Sequence, residues 1–298
     1  MAEVALNHDA AVAAGPPKHR RRSILRALLG HPKVVFAGGF ILFLILLALI
    51  APHDPLDQDL LSGTLPPAGL TGAQASYWLG TDDLGRDVLS RLIYGTRVAL
   101  TVAFVAAAAA ALLGTVLGLF AGFYGGAVDA IVSRLVEIWM AFPPVLLSIL
   151  IVAIMGSGVT SVIVAIAIID WTRFARVVRA ETMAQAKADY VVAARVLGFG
   201  RLAILFREIL PNVAPVLLAL VTLEMGIAVI VEAILSFVGL SVSSDTPTWG
   251  GMIAQGRQTI YHSWWVFAAP LAALFATVLA FNQLGDGLRR ALDPVMRR

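Results

Sequence analysis

The sequence contains no cysteine, which excludes a disulfide framework and any thiolate metal site. Charge is scarce: 14% of the 298 residues are charged, against about 25% in ordinary soluble domains. Lysine is nearly missing. Lys18, Lys33 and Lys187 are the whole set, and none follows a glycine. A phosphate loop of the form G-x-x-x-x-G-K-[ST] is therefore lacking, and any ATP has to be bound by another chain. The five histidines, His8, His19, His31, His53 and His262, share no i+3 or i+4 spacing, so a histidine metal site is not expected either. No catalytic, cofactor-binding or metal-binding residue is expected in this chain.

Apolar side chains fill the gap. They make up 59% of the residues, and the mean hydropathy is +0.86. A chain this apolar cannot cover itself with polar surface in water. That rules out a soluble globular enzyme, a disordered protein and a collagen-like fibre, and leaves a multi-spanning membrane protein. Membrane lipid is its expected surrounding, and nucleic acid is not an expected partner.

A helix needs about 20 apolar residues to cross the roughly 30 Å hydrocarbon core. Val34–Ala51 and Val98–Tyr124 are uncharged runs of suitable length. Ile138–Ile169 is too long for one span, and Gly156-Ser157-Gly158 splits it into two helices, the first beginning near Ile131. Asn212–Leu240, interrupted by Glu224 and Glu232, is a fifth span, and Trp264–Gln283 is the sixth. The first run follows a basic stretch, Lys18 to Arg22, as a secretory leader does. It exceeds the roughly 7–15 residues of a leader's apolar region and has no clear small-x-small cleavage site, so it is read as a span.

Basic residues set the orientation. With the N-terminus inside, 18 of the 22 Lys and Arg fall on cytoplasmic segments, and only Arg86, Arg91, Arg97 and Arg257 lie outside. Both termini are therefore expected in the cytoplasm. The resulting plan is a basic tail at 1–30, a first helix at 31–51 and an extracytoplasmic segment at 52–95. A five-helix core follows at 96–290 with a cytoplasmic loop at 172–211, and a short tail closes the chain at 291–298.

That cytoplasmic loop is long for a connection between membrane helices. Glu181 to Leu197 is Ala-rich and suits a helix, Gly198 and Gly200 end it, Leu202–Leu210 resumes, and Pro211 opens the next span. Ala186, Ala188, Ala193 and Ala194 allow close backbone approach, while Asp189, Tyr190 and Arg195 add polar and aromatic contacts. Two readings stand side by side. The segment is a docking helix for a partner, or an amphipathic helix lying on headgroups beside its seven basic residues.

The stretch Tyr190-Val-Val-Ala-Ala-Arg-Val-Leu-Gly198, followed by Arg207-Glu-Ile-Leu-Pro-Asn212, resembles the EAA loop of ABC importer permeases. Ala193-Ala194, Gly198 and Leu210-Pro211 fall at that motif's spacing; Val192 replaces its Glu and Glu208 its Ile. The departures resemble the peptide-permease branch. Trp78 to Arg97, with the core Gly-Thr-Asp-Asp-Leu-Gly-Arg-Asp, is similar to the segment after the first span in C-type dipeptide and oligopeptide permeases. Ser236-Phe-Val-Gly-Leu240, then Pro247-Thr-Trp-Gly250 and Gly256-Arg257, is similar to their segment after the fifth span. The resemblance covers roughly residues 20–298.

It implies an all-α fold of six transmembrane helices, the type I ABC importer permease, in the bacterial inner membrane. It also implies four kinds of partner: a homologous B-type permease, two ATPase domains holding ATP and Mg2+, an extracytoplasmic substrate-binding protein, and the lipid around them. Di- and oligopeptides are the implied cargo; haem, nickel and glutathione are carried by similar permeases. Ala188, Asp189, Tyr190, Val191, Ala193, Ala194, Arg195 and Gly198 would form the helix that couples to the ATPases. Glu224 and Glu232 are costly in a span unless they face the interior or a partner, and are candidates for the translocation path. Asp83, Arg86, Asp245, Trp249 and Arg257 are candidates for contact with the binding protein. Their bland alternative is a self-paired helix over Gly80–Tyr94 and interfacial tryptophans. Arg134 and Glu137, one turn apart, are expected to pair. Gly114, Gly118 and Gly122 read as a close-packing stripe. The competing function is an ion-coupled secondary transporter using Glu224 and Glu232. The long Leu-Pro-Asn loop and the lack of two inverted halves count against it.

Overall fold

The computed structural model describes residues 32–50, 54–242 and 246–292. Among them the regular structure is helical, apart from a single bridge between Thr81 and Asp87. Nine main helices follow in order: α1 (Pro32–Leu47), α2 (Val88–Tyr124), α3 (Gly126–Met140), α4 (Pro144–Met155), α5 (Val159–Gln185), α6 (Asp189–Val196), α7 (Leu210–Phe237), α8 (Trp249–Gln258) and α9 (Trp264–Leu292). A turn at Arg201–Ala203 and a π-helical segment, Ile204–Ile209, run into α7 without a break.

All six predicted apolar runs are helical, and the architecture is the expected all-α membrane bundle. Val88–Tyr124, Arg201–Phe237 and Trp264–Ala291 are each long and apolar enough to cross a membrane alone. α3 and α4 are long and apolar enough only as a pair, and they meet at a bend of 87°. α1 is a shorter apolar helix of 16 residues. α5 is apolar from Val159 to Ile169 and carries Asp170, Arg173 and Arg176 beyond that stretch.

Helix boundaries depart from the sequence reading in four places, and the first two have a local cause. α2 starts at Val88, ten residues before the apolar run at Val98, because the Asp87 carboxylate accepts from the Leu89 and Ser90 amides and caps the helix there. The third run breaks at Ala141–Pro143. Pro143 disfavours helix at Phe142, and Pro144 opens the next helix. α5 continues to Gln185, past the membrane run. The helix expected over Glu181–Leu197 is interrupted at Ala186–Ala188, so α6 is a separate eight-residue helix. The turn predicted at Gly156–Gly158 is present, with φ of +86° and +157° at its two glycines.

The most extensive helix–helix interface lies between α2 and α5. The glycine stripe makes it. A methyl group at Gly114, Gly118 or Gly122 would sit 2.3, 2.7 or 2.6 Å from the carbonyl oxygens of Trp171, Ala175 and Arg179. The two backbones touch where the stripe runs, which is how membrane helices gain dispersion contact when lipid supplies no hydrophobic drive. α7 packs on α2 and α9, and α1 lies outermost against α9. Ile41, Leu44, Leu100, Val229 and Phe281 share one apolar cluster there.

Candidate functional site

Three constellations stand out, one at each end of the bundle and one inside it. At the loop end, α6 is raised on the bundle and fixed from beneath. Val191 and Ala194, three residues apart and so on one face, insert into a cluster with Leu119, Val178, Ile204, Leu205 and Ile209. The Tyr190 hydroxyl donates to Gln185 Oε1 at 2.7 Å. Burial raises the phenol above its ordinary pKa, so it stays a donor. Gly198, at φ +82°, closes the helix in a conformation that favours glycine.

The outward face of α6 is apolar. Val196 is 82% exposed and Leu197 77%, with Val192 and Phe199 about half exposed. Val196, Leu197 and Phe199 were not singled out in the sequence, where the alanines drew notice, and Val192 stood out there only as the replacement for the motif's Glu. The structure divides the predicted coupling set. Val191 and Ala194 are supports, whereas Asp189, Ala193, Arg195 and Gly198 are exposed. The signal that would have found the missed face is the i, i+4 alternation of Val192 and Val196 against Val191 and Ala194.

Inside the bundle, Glu224 of α7 is fully buried. Its Oε2 lies 3.6 Å from Arg173 Nη1, and Arg173 Nε lies 3.5 Å from Asp170 Oδ1. Both Glu224 oxygens lack a hydrogen-bond partner among the described residues. The knot therefore gathers two carboxyl groups, Asp170 and Glu224, which also interact with each other, around one guanidinium at ion-pair distance. Arg173 is its one substantially exposed member, at 39% of the side chain. Neither Glu224 nor Glu232 reaches the chain surface, so any contact with a passing solute would run through Arg173. Glu232 accepts from Ser236 Oγ at 2.5 Å and Ser241 Oγ at 3.3 Å, tying the segment after α7 to the helix. A second pair, Asp129 with Arg179, joins the start of α3 to α5. The predicted Arg134–Glu137 pair forms at 3.0 Å on the surface.

At the far end, residues 54–87 fold over the bundle and centre on Asp82. Its buried carboxylate accepts from the Leu84 and Arg86 amides at 3.0 Å each, from Arg86 Nε at 2.8 Å, and from Arg91. Both guanidinium groups also reach Gln255 Oε1, at 3.1 and 2.9 Å, and Gln255 in turn donates to Asp83. The self-paired helix over Gly80–Tyr94 is not what forms. Residues 80–87 form a short non-helical loop closed by the Thr81–Asp87 bridge; Asp82 takes both arginines, and Asp87 caps the helix that follows.

Trp249 is 1% exposed and donates to the Leu92 carbonyl at 3.0 Å. Trp265 donates to the Thr81 carbonyl at 3.1 Å. Both act as struts under the lid, and Trp249 is neither an interfacial anchor nor reachable by a partner. Of the proposed binding-protein contacts, Asp83 and Arg257 are exposed, and Arg257 lies 5.4 Å from the centre of the Phe237 ring. Arg86 is mostly covered, and Asp245 lies outside the described residues. Among the described residues no group of His, Asp or Glu is arranged to hold a metal ion.

Comparisons with known proteins agree on one family. The family described as binding-protein-dependent transport system inner membrane component matches residues 114–298. The di/tripeptide transport system permease protein DppC of Pseudomonas aeruginosa is 40% identical over 272 residues, covering 90% of each chain. The dipeptide permease DppC of Escherichia coli is 43% identical over 249 residues, 84% of this chain and 83% of its own. The glutathione transport system permease protein GsiD of Salmonella typhimurium is 41% identical over 268 residues, 88% of this chain and 86% of its own. Among solved structures, a chain of the MetNI methionine ABC transporter in an inward-facing conformation superposes with a TM-score of 0.57. It is 22% identical and covers 68% of this chain and 96% of that one. That likeness speaks to the fold alone.

Proposed function

This chain belongs to the binding-protein-dependent transport system inner membrane components, and from that membership we propose that it moves di- and oligopeptides into the cytoplasm as one permease of an ATP-driven importer. Its relatives are named as transport permeases, so it is a multi-pass transport component and not an enzyme. Short peptides, glutathione among them, are the cargo those names carry. Residues 172–211 and both termini lie in the cytoplasm in this reading, as the 18 to 4 split of basic residues supports. A B-type permease completes the pore, two ATPase domains bring ATP and Mg2+, and a substrate-binding protein delivers peptide at the far end.

The observation that carries the reading is α6. An eight-residue helix that shows Val192, Val196 and Leu197 to water, while Val191 and Ala194 anchor it, exposes apolar surface that a partner must cover. Because it is seated on α2, α5 and the π segment, closure of two ATPases on ATP would move it as a rigid piece and rock the bundle between outward-open and inward-open states. In that cycle Arg173 is the polar group presented to the path, with Glu224 and Asp170 behind it, and Glu232 keeps the far end of α7 in shape. Asp83 and Arg257 are the exposed charges on the face a binding protein would meet.

The test is peptide uptake by vesicles holding the chain with its permease, ATPase and binding-protein partners. Val196→Asp with Leu197→Asp changes the outward face and leaves the support intact, which Ala194→Glu would not. ATP-dependent uptake by the parent, with at least a tenfold loss in an assembled variant, supports the reading. Uptake that persists without ATPase and follows a proton gradient overturns it.

A further inference from the structure

A cleft of about 440 Å³ opens between the loop end of α2 and the segment after α6, and it is lined by Phe123, Tyr124, Arg195, Phe199, Arg201 and Ile204. Neither guanidinium has an ion pair or a hydrogen bond among the described residues. Two unneutralised guanidinium groups on one small cleft call for an anion. Phe123 and Tyr124 meet edge to face at 5.3 Å, and Phe120 stacks on Tyr124 at 5.8 Å. α2 is apolar up to Tyr124 and stops there, so this aromatic group stands at the depth where membrane helices pass from acyl chains to headgroups. Ile204, fully buried, forms an apolar floor.

From this we infer that the cleft binds the phosphate headgroup of an anionic phospholipid. Arg195 and Arg201 clasp the phosphate oxygens, the Tyr124 hydroxyl is a further donor, and the phenyl rings receive the glycerol and upper acyl carbons. The direction of Arg195 favours lipid over an acidic protein partner. Its guanidinium lies 5.7 Å from the centre of the Phe123 ring, turned back toward the membrane helix. Val196 and Leu197, the surface offered to the ATPase, do not line the cleft. A bound lipid would wedge the gap between α2 and α6 and make coupling sensitive to membrane composition. The inference rests on the proposed transport reading only for that last consequence, since the headgroup site itself needs only a membrane at this end.

The experiment uses the assembled complex, stripped of lipid in detergent and titrated with phosphatidylglycerol or phosphatidylethanolamine, with bound lipid counted by native mass spectrometry. Phosphatidylglycerol is expected to bind more tightly. Arg201→Gln should weaken it about fivefold, the Arg195→Gln, Arg201→Gln double variant about 25-fold, and Arg201→Lys far less. Equal binding of the two lipids, or an unchanged double variant, overturns the inference. Displacement of phosphatidylglycerol by inorganic phosphate at equal concentration assigns the cleft to a free anion and overturns it as well. So does loss of the ATPase subunits from the double variant with its lipid count unchanged. Failure of ATP-driven uptake alongside arginine-dependent lipid binding would sink the transport reading and leave this one standing.

Discussion

Single residues decide the far end. Asp82 has two arginines on one fully buried carboxylate, and removing one partner of a buried pair costs about 3–5 kcal/mol because the other charges stay buried. Asp82→Ala should therefore lower the thermal midpoint in detergent by several degrees and open residues 54–87 to protease. Adding Arg91→Met should recover part of the loss, and a double variant worse than the sum of its parts would contradict the geometry. Little of this was legible beforehand. The sequence shows Asp82, Asp83, Arg86, Asp87 and Arg91 in one stretch, and helical spacing allows the Asp82–Arg86 pair but not Asp82–Arg91. Asp87 is spent on the cap, and the bonds to Gln255 join positions more than 160 residues apart. The knot of Asp170, Arg173 and Glu224 was half legible: a glutamate in a span announces that something faces it, but not which helix supplies the partner.

At the scale of elements, α2 and α5 act as one piece. Gly118→Val would drive a side chain into the Ala175 carbonyl at 2.7 Å. Overpacking of this kind costs about 1–3 kcal/mol, which a falling melting temperature for the solubilised chain would register. The same change at Gly38, which has open space around its backbone, should register nothing beyond noise. The stripe was readable because three glycines four residues apart share one helix face, and the Gly156–Gly158 turn because only glycine takes those φ values freely. The spans were readable from run length alone. What escaped was where helices outrun apolar sequence or stop inside it: the cap at Asp87, the Pro143-Pro144 break, and the gap at Ala186–Ala188. Caps and breaks are set by one or two side chains, and hydropathy averages over many.

At the scale of the whole molecule, the buried carboxylates and the exposed Arg173 sit between two ends that do different work under the proposed mechanism. Glu224→Gln removes the carboxyl group that faces Arg173 and keeps the shape. Under the proposed mechanism, peptide uptake should fall at least fivefold while the ATPase subunits stay bound and ATP turnover without peptide stays within twofold. Equal loss of assembly would instead mark the knot as structural. The length of α2 has its own consequence for such movement. Its 37 residues span roughly 55 Å at 1.5 Å per residue, more than the roughly 40–45 Å of a bilayer with its headgroups. One end is joined through Asp87 and Arg91 to the lid, which would travel with it, and the other carries the aromatic wall beside α6. Such a rod behaves as a see-saw: a tilt of about 5° around its middle swings each tip some 2 Å in opposite directions. A shove too small to disturb any side-chain packing along the way would still be felt on the opposite face of the membrane.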